Sequence, residues 1–172
     1  MTVTLISGSM LFATLLMGYV VYRGSAAQWP PLGVGEVSLT LPVLSTLLIA
    51  LSSWFCWETR RAVELKDFSK ARLSLAITAG LGVAFMLAQT GLWYYLKSVG
   101  LYVSSGIFAS ILYAFTWIHA AHVILGLGAL AYWAWCLRVP DQRILSLSIN
   151  LERFWHFLGV VWFVLFLALF VF

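Results

Sequence analysis

The chain has 172 residues, of which 63% are apolar and 9% charged, against about 25% charged in an ordinary soluble domain. This excludes a water-soluble globule. A helix that crosses hydrocarbon needs about 20 apolar residues, so the length accommodates several spans and little else, and residues 1–172 read as one membrane domain. The net charge of +4 arises from 10 Lys and Arg against 6 acids, a balance that suits a membrane surface better than nucleic acid.

In chain order, apolar runs over residues 3–22, 41–57, 73–96, 104–135 and 154–172 predict five transmembrane helices and an all-α bundle. A closed barrel would show short alternating strands, whereas Leu73 to Ala88 is apolar on every face. The first run is followed by Ser25-Ala26-Ala27, which resembles a signal cleavage site. It has no preceding Lys or Arg and exceeds the length of a signal core, so it reads as a retained helix. Trp29-Pro30-Pro31 then predicts an extended surface segment, because paired prolines cannot continue a helix.

The second loop, residues 58–72, carries Arg60, Arg61, Lys66, Lys70 and Arg72, and the fourth carries Arg138 and Arg143 with Arg153 just beyond. The alternate loops carry only Arg23 and Lys97. By the positive-inside rule this predicts an N-terminus in the cytoplasm, or the matrix of an organelle, and an outside C-terminus; a bacterial inner membrane is the expected location. Cys56 and Cys136 lie near the ends of apolar runs without metal-ligand spacing and read as buried reduced thiols.

Ionisable groups inside a span are costly and therefore informative. Here they are histidines: His119 and His122 in the fourth run and His156 early in the fifth, with no acid central in any run. Imidazole suits haem or copper, but residues three apart on one helix cannot reach opposite faces of a haem, which leaves His119 or His122 with His156 as the pair for a bis-His electron carrier. Interhelical hydrogen bonding by neutral imidazoles is the simpler expectation. A transporter would be expected to show a central acid or interrupted helices. Gly106, Ser110 and Ala114, and Gly80 with Ala84, recur every four residues and predict close packing, inside the bundle first and against a partner as the alternative. Aromatic clusters such as Trp93-Tyr94-Tyr95 predict interfacial anchoring.

Three segments resemble subunit III of the haem-copper oxidases. Thr116-Trp117-Ile118-His119-Ala120-Ala121-His122-Val123 is similar to that family's T-G-F-H-G-x-H-V, and Ile124-Leu125-Gly126 continues it. Phe154-Trp155-His156-Phe157-Leu158-Gly159-Val160-Val161-Trp162 is similar to Y-W-H-F-V-D-V-V-W. Trp29-Pro30-Pro31, Leu41-Pro42 through Ser53, and Gly82-Val83-Ala84-Phe85 through Gln89 support it, so the likeness covers nearly the whole chain and matches the short, five-helix members. The family's usual intramembrane carboxylates are replaced by Gly8, Leu92 and Gly159.

The resemblance implies a non-catalytic subunit of a respiratory terminal oxidase, or of a related nitric oxide reductase. It implies no cofactor or metal on this chain, with haem and copper or iron held by a catalytic subunit I beside which the bundle packs. His119, His122, His156, Gln89, Trp155 and Trp162 are then interhelical structural residues. The resemblance also implies phospholipid in a cleft between the first two helices and the other three, with Arg60, Arg61, Lys66 and Arg72 as candidate headgroup ligands.

Overall fold

The computed structural model describes residues 2–25, 38–141 and 143–171, with side chains from Ile6 onward. The Trp29-Pro30-Pro31 segment lies outside the described residues. Five helices, each long and apolar enough to cross a membrane, follow in order: α1 Thr2–Ser25, α2 Thr40–Glu64, α3 Phe68–Ser98, α4 Ile107–Cys136 and α5 Ile144–Phe166. A wider π-helical turn, Leu167–Val171, extends α5. Among the described residues there are no strands.

The helices outrun the apolar runs that announce them. The expected loop 58–72 is almost entirely helical, because α2 continues to Glu64 and α3 begins at Phe68. Charged residues at these ends find partners across the hairpin or along one helix: Glu58 with Lys70 at 2.9 Å, and Arg60 with Glu64 four residues on. The turn itself is a Schellman closure. Lys66 N donates to Val63 O at 3.0 Å and Asp67 N to Ala62 O at 2.9 Å, with Lys66 in the left-handed region at φ 58°. Asp67 then caps α3 by accepting from Lys70 N at 3.0 Å.

α5 begins ten residues before the apolar run expected at 154, at Ile144. Its first turns mix Ile and Leu with polar residues, and Ile144, Ser148, Leu151, Glu152 and Trp155 recur at helical spacing and are buried. α4 starts slightly later than expected, after a 3₁₀ turn at Val103–Ser105, and Tyr113 OH donates to Leu101 O at 2.9 Å to pin that connection.

α2 and α5 run antiparallel, since Trp155 bonds Ser52 while Trp162 bonds Thr46. α1 runs parallel to α5: a Cβ at Gly8 would meet the Phe157 ring, and Tyr19 OH donates to Ala168 O at 2.6 Å. The starts of α1, α3 and α5 and the ends of α2 and α4 therefore share one end of the bundle. This basic end carries Arg60, Arg61, Lys66, Lys70, Arg72, Arg138 and Arg143.

Phe12 and Tyr19 seat α1 against Phe115 of α4 and Val161, Leu165 and Leu169 of the α5 segment. The main core is built from α2 to α5 around Phe85, Val123, Trp133, Trp155 and Trp162. α2 is bound into the α3 and α5 interface by buried hydroxyls, and α1 closes against α4 and α5.

The small-residue rows also differ from expectation. Gly80, Gly106 and Ala114 face outward, and a Cβ at Gly80 or Gly106 would meet nothing within 4 Å. The close approaches fall instead at Gly82 and Gly126. Periodicity alone cannot tell a groove that faces a neighbouring helix from one that faces lipid.

Candidate functional site

Trp155 is the central side chain of the bundle and is fully buried. A Cβ at Gly82 of α3 would lie 2.9 Å from Trp155 Cη2, and one at Gly126 of α4 would lie 3.0 Å from Trp155 Cζ3. The indole thus occupies two notches that only glycine provides. Its Nε1 donates to Ser52 Oγ at 3.0 Å, and that hydroxyl donates to Thr78 O at 3.0 Å, so one chain of hydrogen bonds joins α5, α2 and α3.

Two further links repeat the pattern nearer the opposite end. Trp162 Nε1 donates to Thr46 Oγ1 at 3.1 Å, and Gln89 Nε2 donates to Ser45 Oγ at 2.9 Å. Such bonds stabilise helix pairs in lipid by about 0.6 kcal/mol each on average. Their acceptors, Ser45, Thr46 and Ser52, were missed in the sequence because serine and threonine raise no signal in an apolar run, although their spacing places them together on α2.

The histidines do not form the expected interhelical hydrogen bonds. His119 is fully buried and neither ring nitrogen has a hydrogen-bond partner. Its ring is enclosed by Trp162 at 5.5 Å between centroids, Phe85 at 5.9 Å and Phe12 at 6.2 Å. His122 Nδ1 pairs with Ile118 O of its own helix at 2.8 Å. A haem ligand needs an open approach to its nitrogen, and aromatic rings from three other helices occupy the surroundings of His119. Among the described residues no group of three His, Cys, Asp or Glu is disposed to hold a metal ion, and both cysteines are free.

His156 lies midway along α5 and faces Glu152 Oε1, one turn nearer the basic end, at 3.5 Å. Glu152, which the sequence reading passed over, is the acid that ties two helices there: its Oε2 lies 2.6 Å from Arg60 Nε. Its signal was the i, i+4 spacing to His156 on a helix that starts earlier than hydropathy suggests. Arg60 is therefore engaged by Glu152 and Glu64. Arg61 is exposed with its guanidinium 5.5 Å from the Trp57 ring centroid, Lys66 is exposed in the turn, and Arg72 Nε donates to Phe68 O at 3.1 Å.

The positions where the resembled family carries carboxylates are packed here. Gly8 abuts Phe157, with a built Cβ 3.1 Å from its ring, and Gly159 abuts Ser53 Oγ at the same distance. Leu92 is fully buried beside Leu96 and Leu112. Near Gly159 an open groove of about 520 Å³ runs between α2 and α5, lined by Thr46, Ser53, His156 and Phe163 among others.

A bundle of five spans whose helices are joined by the Trp155–Ser52–Thr78, Trp162–Thr46 and Gln89–Ser45 hydrogen bonds defines a polytopic membrane protein built around packing. Residues 1–172 match the family description cytochrome c oxidase subunit III, and the chain belongs to that family. It is 30% identical over 170 residues, 97% of its length and 72% of the relative's, to a cytochrome c oxidase subunit 3 of Synechocystis sp.. It is 32% identical to the corresponding subunit of Thermostichus vulcanus, over 98% of this chain and 84% of that one. A probable cytochrome c oxidase subunit 3 of Nocardia farcinica is similar at 32% identity over 94% of this chain and 80% of that one. The chain is a multi-pass subunit III of a haem-copper oxidase, and no finding favours a nitric oxide reductase component or a haem-binding carrier.

Proposed function

We propose that this chain has no catalytic site of its own and acts by packing beside the catalytic subunit I, which carries haem and copper, so as to stabilise it in a bacterial inner membrane. The observation that carries this reading is the enclosure of His119. The most ligand-like residue of the chain is a core side chain held among Phe12, Phe85 and Trp162. The loop charges support a cytoplasmic basic end, with the N-terminus there and the C-terminus outside. Bound phospholipid is part of the reading. Arg61, Lys66 and Arg72 are exposed cations at headgroup depth, each favouring anionic lipid by about 1 kcal/mol, whereas the charge of Arg60 is already met by Glu152 and Glu64.

Purification through a tag on this chain tests the proposal. The oxidase complex should come with it and show a haem Soret band, while the chain separated from its partners should be colourless. A Soret band that stays with the isolated chain and vanishes in His156→Ala would overturn it.

A further inference from the structure

The open groove of about 520 Å³ between α2 and α5 follows Thr46, Ala50 and Ser53 on one wall and His156, Gly159 and Phe163 on the other. It sits at mid-depth. At 1.5 Å per residue, His156 is about 18 Å along α5 from Ile144, and Phe163 is about 12 Å from the last turn at Val171, against a hydrocarbon half-thickness of about 15 Å.

Two polar groups in this groove are left without a hydrogen-bond partner in the bundle. His156, whose side chain is 40% exposed, turns Nε2 toward Glu152 Oε1 at 3.5 Å. Among the described residues neither its Nδ1 nor Ser53 Oγ makes a hydrogen bond. Thr46, by contrast, is satisfied, because its hydroxyl accepts from Trp162 Nε1 and donates to Pro42 O. Unpaired hydrogen-bonding groups are costly in hydrocarbon, and a phospholipid headgroup held at the interface stays out of their reach. What meets them must carry its polarity to mid-depth, as a transmembrane helix does. The lining suits a helix as well: Ala50 is exposed and, with Gly159, small, so a partner backbone approaches closely.

Charge narrows the choice of side chain. Glu152 already supplies the negative charge beside His156 and is held by Arg60, so a second carboxylate would be repelled across a space of low dielectric. With Nε2 turned to Glu152 as the donor, Nδ1 is an acceptor, while the Ser53 hydroxyl has a proton to donate. An amide or hydroxyl, which donates and accepts at once, answers both.

We propose that this groove seats one transmembrane helix of the catalytic subunit, which sets a neutral amide or hydroxyl side chain against His156 and Ser53. This rests on the reading that the chain packs beside that subunit, and it names the face and the contact.

The test uses the intact complex purified through a tag on this chain. A photoreactive p-benzoylphenylalanine in place of Phe163 should crosslink to the haem-bearing subunit, at a transmembrane peptide that contains Asn, Gln, Ser, Thr or Tyr. The same probe at Leu125, exposed on α4, which α3 and α5 separate from α2, should not. Ala50→Phe fills the groove from an exposed position and should strip the haem-bearing subunit from the tagged chain in detergent. Ser53→Ala and His156→Phe should each speed its dissociation about threefold, the worth of one hydrogen bond between helices in lipid. Crosslinking from position 163 to lipid alone, to a second copy of this chain or to a subunit without haem would overturn the proposal. So would crosslinking from position 125 alone, or unchanged dissociation in both Ser53→Ala and His156→Phe. A wild-type chain that brings no haem-bearing subunit with it would overturn the packing reading as well, which separates the two failures. Should a groove variant fail to fold, the crosslink from position 163 decides.

Discussion

Arg60 Nε on α2 lies 2.6 Å from Glu152 Oε2 on α5, and both side chains are mostly withdrawn from solvent, 22% and 11% exposed. The same acid also meets His156 through its other oxygen, so one carboxylate clamps the two antiparallel helices whose opposite halves are joined by Trp155–Ser52 and Trp162–Thr46.

Removing Arg60 leaves Glu152 with His156 alone, and removing Glu152 leaves Arg60 with Glu64 alone, so the link between the helices is lost in either case. Arg60→Gln and Glu152→Gln should each lower the stability of the assembled subunit by about 1.5–3 kcal/mol, the range for hydrogen bonds to charged groups. The double variant should lose less than the sum. A double-mutant cycle read by thermal unfolding in detergent checks this, and strict additivity would show that the two residues act independently.

Glycine substitutions should separate sharply by position. Gly82→Ala and Gly126→Ala drive a methyl into Trp155, and should cost about 1–3 kcal/mol through overpacking. Gly80→Ala and Gly128→Ala meet open space, and should be neutral or stabilising by up to about 1 kcal/mol through helix propensity. Parallel melting curves of the four variants measure the contrast.

At His119, size should matter more than polarity. His119→Ala leaves a cavity among three aromatic rings and should cost about 2–4 kcal/mol by analogy with other large-to-small core changes. His119→Phe removes no hydrogen bond, since neither nitrogen makes one, and should cost less than about 1.5 kcal/mol if the ring is accommodated. Turnover per intact complex should be unchanged in both, and complex yield against activity is the measurement. Normal yield with abolished turnover in His119→Phe would return this residue to a chemical role.

The hairpin turn offers a stabilising change. Lys66 is held at φ 58° without being glycine, a conformation that costs an L-residue about 1–2 kcal/mol. Lys66→Gly should therefore raise the melting temperature of the subunit, while the Schellman bonds to Val63 and Ala62 persist. A fall in melting temperature would show that the lysine side chain holds the turn by a contact of its own.

Topology is checked by reporters. Tags at Met1 and at the 65–67 turn should report cytoplasm, and a tag after Phe172 should report the opposite side, because the Lys and Arg excess alternates between loops.

Hydropathy alone determined that five helices cross a membrane, since no side-chain detail changes the cost of placing an apolar run in water. The fourth- and fifth-helix motifs carried the family as well, because they lie along continuous stretches of chain. Helix ends were less legible. The charged ends of α2 and α3 are helical because ion pairs and the Asp67 cap satisfy them, and the amphipathic first turns of α5 because one face packs into the bundle, whereas a hydropathy window averages over the faces.

The interior was decided by tertiary structure. That Gly82 and Gly126 form the notches while Gly80 and Gly106 face outward depends on the rotation of α3 and α4 about their axes, which a repeat of four residues leaves open. Tertiary structure also decided that His119 is a core side chain and that Glu152 rather than a midspan acid pairs with Arg60. Each of these joins residues far apart in the chain, and in an apolar solvent the choice among helix faces rests on close packing and a few hydrogen bonds rather than on hydrophobicity, which every face shares.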